Sequence, residues 1–225
     1  MIIEIKNRDF FLSVLSTFLN KKQIDITVSE DSMLIECIEI CRTYVNLDRS
    51  IFEADETREK FSVDPSHLHK SCNILKTNEI HILEDHILLR NEISYIKIPL
   101  LSTIDHQYEE VGEVHTKFMI HSKNIQTVSL LQGLVRYEIE NDTLFIRRIA
   151  HQVFEEIEMR DVDFIEVGEL SFSCNNSWSV IFEDISRSIQ GTMFFFSDCF
   201  LSVQLLFKDK ENVYYEIQIP KALVE

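Results

Sequence analysis

Carboxylates are the most abundant reactive groups in the chain, and they fall in runs: Glu53, Asp55, Glu56 and Glu59; Glu109 and Glu110; Glu155, Glu156 and Glu158. General acid–base work needs two such groups in one pocket that drives their pKa values apart. Runs of this kind in charged surroundings read instead as solvated faces. His67 and His69, with His81 and His86 nearby, are the candidate metal ligands. On a helix, residues two apart point about 200° away from each other, so His67 and His69 cannot easily share an ion. The five cysteines (Cys37, Cys41, Cys72, Cys174 and Cys199) form no CxxC pair and no zinc spacing. They read as reduced thiols of a cytosolic or nuclear protein, with Cys37 and Cys41 as small core residues on a strand and its turn. There is no GxSxG, no P-loop and no dinucleotide fingerprint, and four glycines leave little to build a phosphate cradle from. The expectation is a protein that is not an enzyme, with no metal and no cofactor.

The elements that position these residues are mostly strands. Ile24, Ile26 and Val28 alternate over 23–29, the period of a half-buried strand, and 33–38 and 43–47 follow the same rule. Further strands are expected at 79–83, 86–90, 93–98, 115–120, 134–140, 143–149, 152–158, 163–167, 169–173, 192–196, 199–207 and 212–219. Four segments switch to helical spacing. Residues 8–20 carry Phe11, Val14, Leu15, Phe18 and Leu19 on one face. Residues 65–76 open on Pro65, well placed at a helix start. Residues 122–132 open on Ser122 as N-cap. Residues 175–187 follow an Asn pair and carry Trp178, Ile181, Phe182 and Ile185, with Trp178 as a packing anchor.

The order of these elements repeats. Strand, helix, several strands, helix and three strands run to Leu100, and after a polar bridge the series restarts at His115. This predicts an α+β chain of two tandem similar domains, each with two helices packed on antiparallel sheet: residues 1–100, a connector at 101–113, and residues 114–225. The composition agrees with an ordered globular chain: 225 residues, 45% hydrophobic, 27% charged and only three prolines. No apolar run approaches the roughly 18 residues of a membrane span, and Met1–Lys6 alternates like a strand, unlike a signal peptide. No membrane partner is expected. A net charge of −16 argues against coating nucleic acid by bulk charge, though not against a confined basic face.

Four stretches resemble the DNA sliding clamps of the proliferating cell nuclear antigen (PCNA) superfamily. They are Ile2 to Leu19; Ser62 to Lys76, a strand leading into a helix that ends Ile-Leu-Lys; Phe118 to Ser122 with its following helix; and Leu201 to Glu225, where Tyr214 to Lys221 is similar to the family's last strand and Pro-Lys tail. The resemblance covers essentially the whole chain. It implies a nuclear, ring-forming subunit that joins itself or paralogous clamp subunits as a trimer around duplex DNA. It also implies loading by a clamp loader ATPase and tethering of DNA polymerase, nuclease or ligase peptides. Two departures stand out. The chain is shorter than a eukaryotic replicative clamp around 84–101, and its helices carry few cations.

The resemblance assigns residues to three surfaces. The DNA-facing set is Lys21, Lys22, His69, Lys70, Lys76, Lys123 and Arg187, with Asn73 where the family often has lysine and with Glu183 and Asp184 before Arg187. The partner-peptide pocket takes Leu101, Ile104 and Tyr108 from the connector and Pro220, Lys221 and Ala222 from the tail. The subunit interface takes Ile93, Tyr95 and Lys97 on one edge strand and Val153, Ile157 and Met159 on another. The alternatives are a subunit of a heterotrimeric nine-one-one type checkpoint clamp, which the thin basic face favours, and a monomeric clamp-like interaction protein that does not encircle DNA.

Overall fold

In the opening strand Ile3 and Ile5 are buried while Ile2 and Glu4 face outward, so the alternation read in the sequence becomes the two faces of a sheet. The computed structural model describes residues 1–39, 41–103, 112–148, 155–180, 189–208 and 214–223. The chain divides into two compact units, Met1–Glu39 with Thr43–Gln107, and Ile40–Arg42 with Tyr108–Glu225.

The first unit runs β1 (Ile2–Ile5), α1 (Arg8–Ser16), β2 (Ile24–Val28), β3 (Ser32–Ile38), β4 (Arg42–Asp48), β5 (Phe52–Ala54), β6 (Arg58–Val63), α2 (Pro65–Leu75), β7 (Glu79–Ile82), β8 (His86–Arg90) and β9 (Tyr95–Pro99). The second runs β10 (Val114–His121), α3 (Ser122–Val128), β11 (Leu134–Glu140), β12 (Thr143–Arg148), β13 (Glu156–Met159), β14 (Val162–Glu166), β15 (Ser171–Asn175), a 3₁₀ turn (Asn176–Val180), β16 (Ile189–Ser197), β17 (Phe200–Phe207) and β18 (Tyr214–Pro220). In the first unit the strands order as β5-β1-β7-β8-β9 and β6-β2-β3-β4. In the second they order as β14-β10-β16-β17-β18 and β15-β11-β12-β13. Position for position these are the same two sheets, so the repeat in element order is a repeat in topology.

One backbone crossing recurs with it. After β9, the Leu100 N–H donates to the Asp85 carbonyl and the Leu101 N–H to the Ser62 carbonyl of β6, both at 2.9 Å. After β18, the Lys221 N–H donates to the Cys199 carbonyl and the Ala222 N–H to the Ser173 carbonyl of β15, both at 2.7 Å. In each unit the segment leaving the last strand of one sheet is stitched to the edge strand of the other.

Helices α1 and α3 are shorter than their apolar stripes suggest, for local reasons. In α1 the Ser16 hydroxyl donates to the Ser13 carbonyl (2.6 Å) and Thr17 to the Val14 carbonyl (2.7 Å), side-chain bonds that compete with the helical ladder. The stripe continues through Phe18, which is buried, in a turn. Helix α2 keeps its predicted length: Asp64 caps the Ser66 and His67 amides, Pro65 sits at the first turn, and Lys76 closes the helix in the left-handed region at φ 51°. Helix α3 stops at Val128, and Gly133 at φ 86° turns the chain into β11. The expected fourth helix begins as the 3₁₀ turn Asn176–Val180; Ile181, Phe182, Glu183, Asp184, Ile185 and Arg187 lie outside the described residues. Strand β5 has no counterpart among the expected strands, because three residues cannot display alternation. Strand β6 is foreshadowed only at its end. Among the described residues no helix is long and apolar enough to cross a membrane.

The second unit packs around an aromatic cluster. Phe118 stacks on Phe194 at 5.1 Å between centroids, Phe172 meets Phe196 edge-on at 5.3 Å, and Trp178 approaches Phe194 edge-on at 6.3 Å. Beside this cluster lies the fully buried Asn176. Its amide donates to the Val128 and Leu131 carbonyls at 2.9 and 2.7 Å, and its oxygen accepts from the Tyr137 hydroxyl at 2.7 Å. One side chain thus satisfies the open carbonyls after α3 and the buried phenol of β11. Asn176→Ala strands all three partners and is expected to lower stability by about 3 kcal/mol, against about 1 kcal/mol for Tyr137→Phe, in urea unfolding.

Candidate nucleic-acid and assembly surfaces

The cationic residues assigned to DNA divide into paired and exposed sets. Lys21 is tied to Glu39 at 2.9 Å and Lys123 to Asp161 at 2.7 Å. The Asn124 amide donates to the same Asp161 oxygen at 3.0 Å, and His121 meets Asp163 at 2.9 Å, so the start of α3 carries its own counter-charges. The bonds from Lys123, then Asn124, hold the Asp161 carboxyl below the usual carboxylate range. Lys22, Lys70 and Lys76 are exposed on the first unit. Burial lowers the His69 pKa, so His69 is neutral near pH 7 and offers no charge to phosphate. Arg187 lies outside the described residues. Arg8, which no sequence motif singles out, spends its guanidinium within the unit, donating to the Cys72 carbonyl at 3.1 Å and joining α1 to α2.

Of the residues assigned to a peptide pocket, Ile104 and Tyr108 lie outside the described residues. Leu101 is half-buried and fixed by its bond to Ser62 in the first unit. Pro220, Lys221 and Ala222 close and follow β18 in the second unit, where Lys221 Nζ lies 5.7 Å over the Phe172 ring. A cleft of about 410 Å³ opens beside this tail, lined among others by His115, Glu169, Phe172, Asp198 and Lys221. His115 and Asp198, 3.7 Å apart, give no signal in the sequence, because β10 and the β16–β17 turn bring them together from distant positions.

The two assigned edges differ in character. Strand β9 pairs only with β8 and β13 only with β12 among the described residues. Ahead of β9, the Asn91 side chain accepts from the Ile93 and Ser94 amides (3.0 and 2.8 Å) and donates to the Leu75 carbonyl at 3.2 Å. This turn is pinned to the end of α2 and presents Ile93 at 94% exposure, beside Tyr95 at 67% and exposed Lys97. Ile74 on α2 is also exposed, at 71%. Large apolar side chains exposed at one edge strand and the neighbouring helix are candidates for a contact surface. On β13, Glu156 and Glu158 face out, Ile157 is half-buried, and Met159 is buried in its own unit, leaving only its backbone for pairing. Val153 lies outside the described residues.

Three of the five thiols and two of the histidines are spent on structure, whereas Cys41 is half-buried, not a core residue as expected, and Cys199 is exposed. Burial pushes the Cys37 thiol up to about 11 and the Cys72 and Cys174 thiols up to about 12, so they stay protonated at neutral pH. His86 binds Asp85 at 2.6 Å and His81 binds Glu79 at 3.2 Å. Among the described residues no three His, Cys, Asp or Glu side chains gather as a metal site.

Two like units, each with the same pair of antiparallel sheets and the same helix positions, define an α+β chain with the fold of the DNA sliding clamps. No family model and no curated protein matches the sequence; the likeness lies in the fold. A PCNA2–PCNA3 complex structure from Sulfolobus tokodaii aligns at TM-score 0.75 and 12% identity, over 98% of this chain and 99% of that one. PCNA from Thermococcus kodakaraensis aligns at 0.73 and 13%, over 99% and 100%. Proliferating cellular nuclear antigen from Entamoeba histolytica aligns at 0.76 and 11%, over 99% and 98%.

The pairing at α3 is directly measurable. In a carboxyl NMR titration the Asp161 midpoint is expected below that of an ordinary exposed aspartate, and Lys123→Ala is expected to move it upward. An unchanged midpoint in Lys123→Ala would remove the ion pair from the account.

Proposed function

We propose that this chain is a subunit of a ring-forming sliding clamp, a tether without catalysis of its own that keeps partner proteins on duplex DNA. The observation that carries the reading is the doubled topology, shared end to end with three PCNA structures. In this reading the helix-bearing faces turn toward the duplex, with Lys22, Lys70 and Lys76 as the main phosphate contacts. The β9 and β13 edges join neighbouring subunits, and the tail at Pro220–Ala222, with Leu101, Ile104 and Tyr108 of the connector, receives partner peptides. A clamp loader ATPase opens the ring.

Sparse cations are compatible with this role, because topology, not affinity, retains a ring on DNA. Each phosphate contact contributes about 0.9 to the slope of log K against log salt on duplex DNA. A surface with few free lysines therefore binds weakly and with shallow salt dependence. A second reading is a subunit of a heterotrimeric checkpoint clamp. The self-neutralised Lys21 and Lys123 favour it, and one structural neighbour is a complex of two different clamp subunits.

The deciding experiment loads the protein on nicked circular DNA and then linearises the circle. Retention on the circle and loss on linearisation is the expected outcome; equal retention on linear DNA with free ends would exclude encirclement. Light scattering separates a homotrimer from a subunit that needs a paralogue, and a chain that stays monomeric with every clamp-like partner points to a non-encircling interaction protein. Ile93→Glu is expected to weaken subunit association at least tenfold while leaving the thermal midpoint in place, since a side chain 94% exposed contributes little to its own unit. Asp161→Asn is expected to free Lys123, tightening DNA binding and steepening the salt slope by about 0.9.

A further inference from the structure

Strand β13 is four residues long and has a single neighbour among the described residues, a combination that ordinarily frays. Here it is gripped by consecutive arginines. Arg147 lies directly across from Glu156 in the β12–β13 register. Its Nε donates to Glu156 at 2.5 Å, its Nη1 donates to Glu140 at 2.7 Å and also to Glu138, and its guanidinium lies 4.6 Å over the Phe145 ring. Arg148 holds the residue before the strand. Its N–H donates to the Glu155 carbonyl and its guanidinium pairs with the Glu155 carboxylate, both at 2.9 Å.

The Arg147 side chain is 24% exposed and that of Glu156 26%, so this pair is screened less than an open surface bridge. Arg147 forms the hub, with three carboxylates from β11 and β13 meeting on one planar cation. Its fork geometry suits that role in a way a lysine does not. The equivalent place in the first unit is built differently. There Asp25 and Glu36 oppose each other across β2 and β3, and the cation is Lys60 of β6, 2.9 Å from Asp25. In the second unit an arginine of β12 reaches across to the outermost strand.

We propose that Arg147 is the positioning residue of the assembly edge: by gripping Glu156 it holds β13 in line so that the open side of the strand can pair with a neighbouring subunit. The proposal rests on the reading of β13 as a subunit junction. An edge strand that must be ordered at the moment of pairing binds more weakly than one already in line. The arginine hub supplies that order before the neighbour arrives, and it does so from the solvent face, leaving the pairing edge clear.

The test compares the wild-type full chain with Arg147→Met and Arg147→Lys by amide hydrogen exchange, sedimentation equilibrium and thermal unfolding. Arg147→Met is expected to speed exchange of the Glu156–Met159 amides about tenfold while the β16 and β17 amides keep wild-type rates. It is expected to weaken self-association about tenfold, with Arg147→Lys recovering part of both effects through its charge alone. Raising salt should move the wild type toward the Arg147→Met behaviour and leave that variant unchanged. Wild-type exchange at β13 in Arg147→Met, or acceleration spread over the whole unit, would overturn the proposal. So would unchanged association in a variant whose β13 exchanges faster, and in that case the clamp reading itself would stand. A wild-type chain monomeric at every concentration, alone and with clamp-like partners, would overturn both.

Discussion

Each half of this protein is two sheets sharing one core, and the constraint on which the rest depends is the short crossing that joins them. The chain leaves the last strand of one sheet, which ends on a proline (Pro99 or Pro220), and within two residues hydrogen-bonds to the edge strand of the other. The two crossings use equivalent donors and equivalent serine carbonyls, at Ser62 and Ser173. Because a backbone N–H buried without a partner is costly, the crossing fixes both sheet edges at that point. It also fixes where each exit segment starts. The connector begins at Leu101 and the tail at Lys221, each already anchored when it reaches the surface.

The order of elements was readable in the sequence because the buried apolar residues mostly follow the period of their element. Ile24, Ile26 and Val28 in β2 and Phe11, Val14 and Leu15 in α1 all point into cores, and each period names its element. Helix ends were less legible, since hydroxyl groups such as Ser16 and Thr17 decide them through bonds that no apolar pattern reveals. Strand β5 has too few residues to show a period. The charges were least legible. Lys21 and Lys123 look like free cations in the sequence, but their partners Glu39 and Asp161 stand 18 and 38 positions away and are brought close by the fold. Asn176, next to Asn175, reads as a polar helix start and is in fact a fully buried three-way connector.

The electrostatics describe a protein that restrains its own charge. A net charge of −16 coexists with cations that are largely matched inside their own unit: Arg8 to the end of α2, Lys60 to Asp25, Lys123 to Asp161, and Arg147 to three glutamates. Such a surface has little capacity to condense on nucleic acid. Lys22, Lys70 and Lys76, the exposed lysines among those assigned to the duplex with no carboxylate partner among the described residues, give only a shallow attraction. In the proposed role as a tether on DNA, weak local contact would be an advantage, because strong phosphate contacts slow translation as surely as they improve retention. The most exposed large apolar groups of the first unit among the described residues, Ile74, Ile93 and Tyr95, sit on α2 and at β9, the edge that the proposed ring would cover.

Tandem copies of one topology carry a folding hazard: a strand from one half can pair with the counterpart of its proper neighbour. The reversed charge at equivalent positions opposes this error. In the first half the positions facing Ser62 and its neighbour across β2 and β3 are Asp25 and Glu36, satisfied by Lys60; in the second they are Arg136 and Arg147, satisfied by glutamates. If β15 docked beside β2, Asp25 and Glu36 would lose their cation. Burying two carboxylates without a cation is costly, so the lysine that stabilises the first half's own sheet also gives β2 a reason to reject the wrong neighbour.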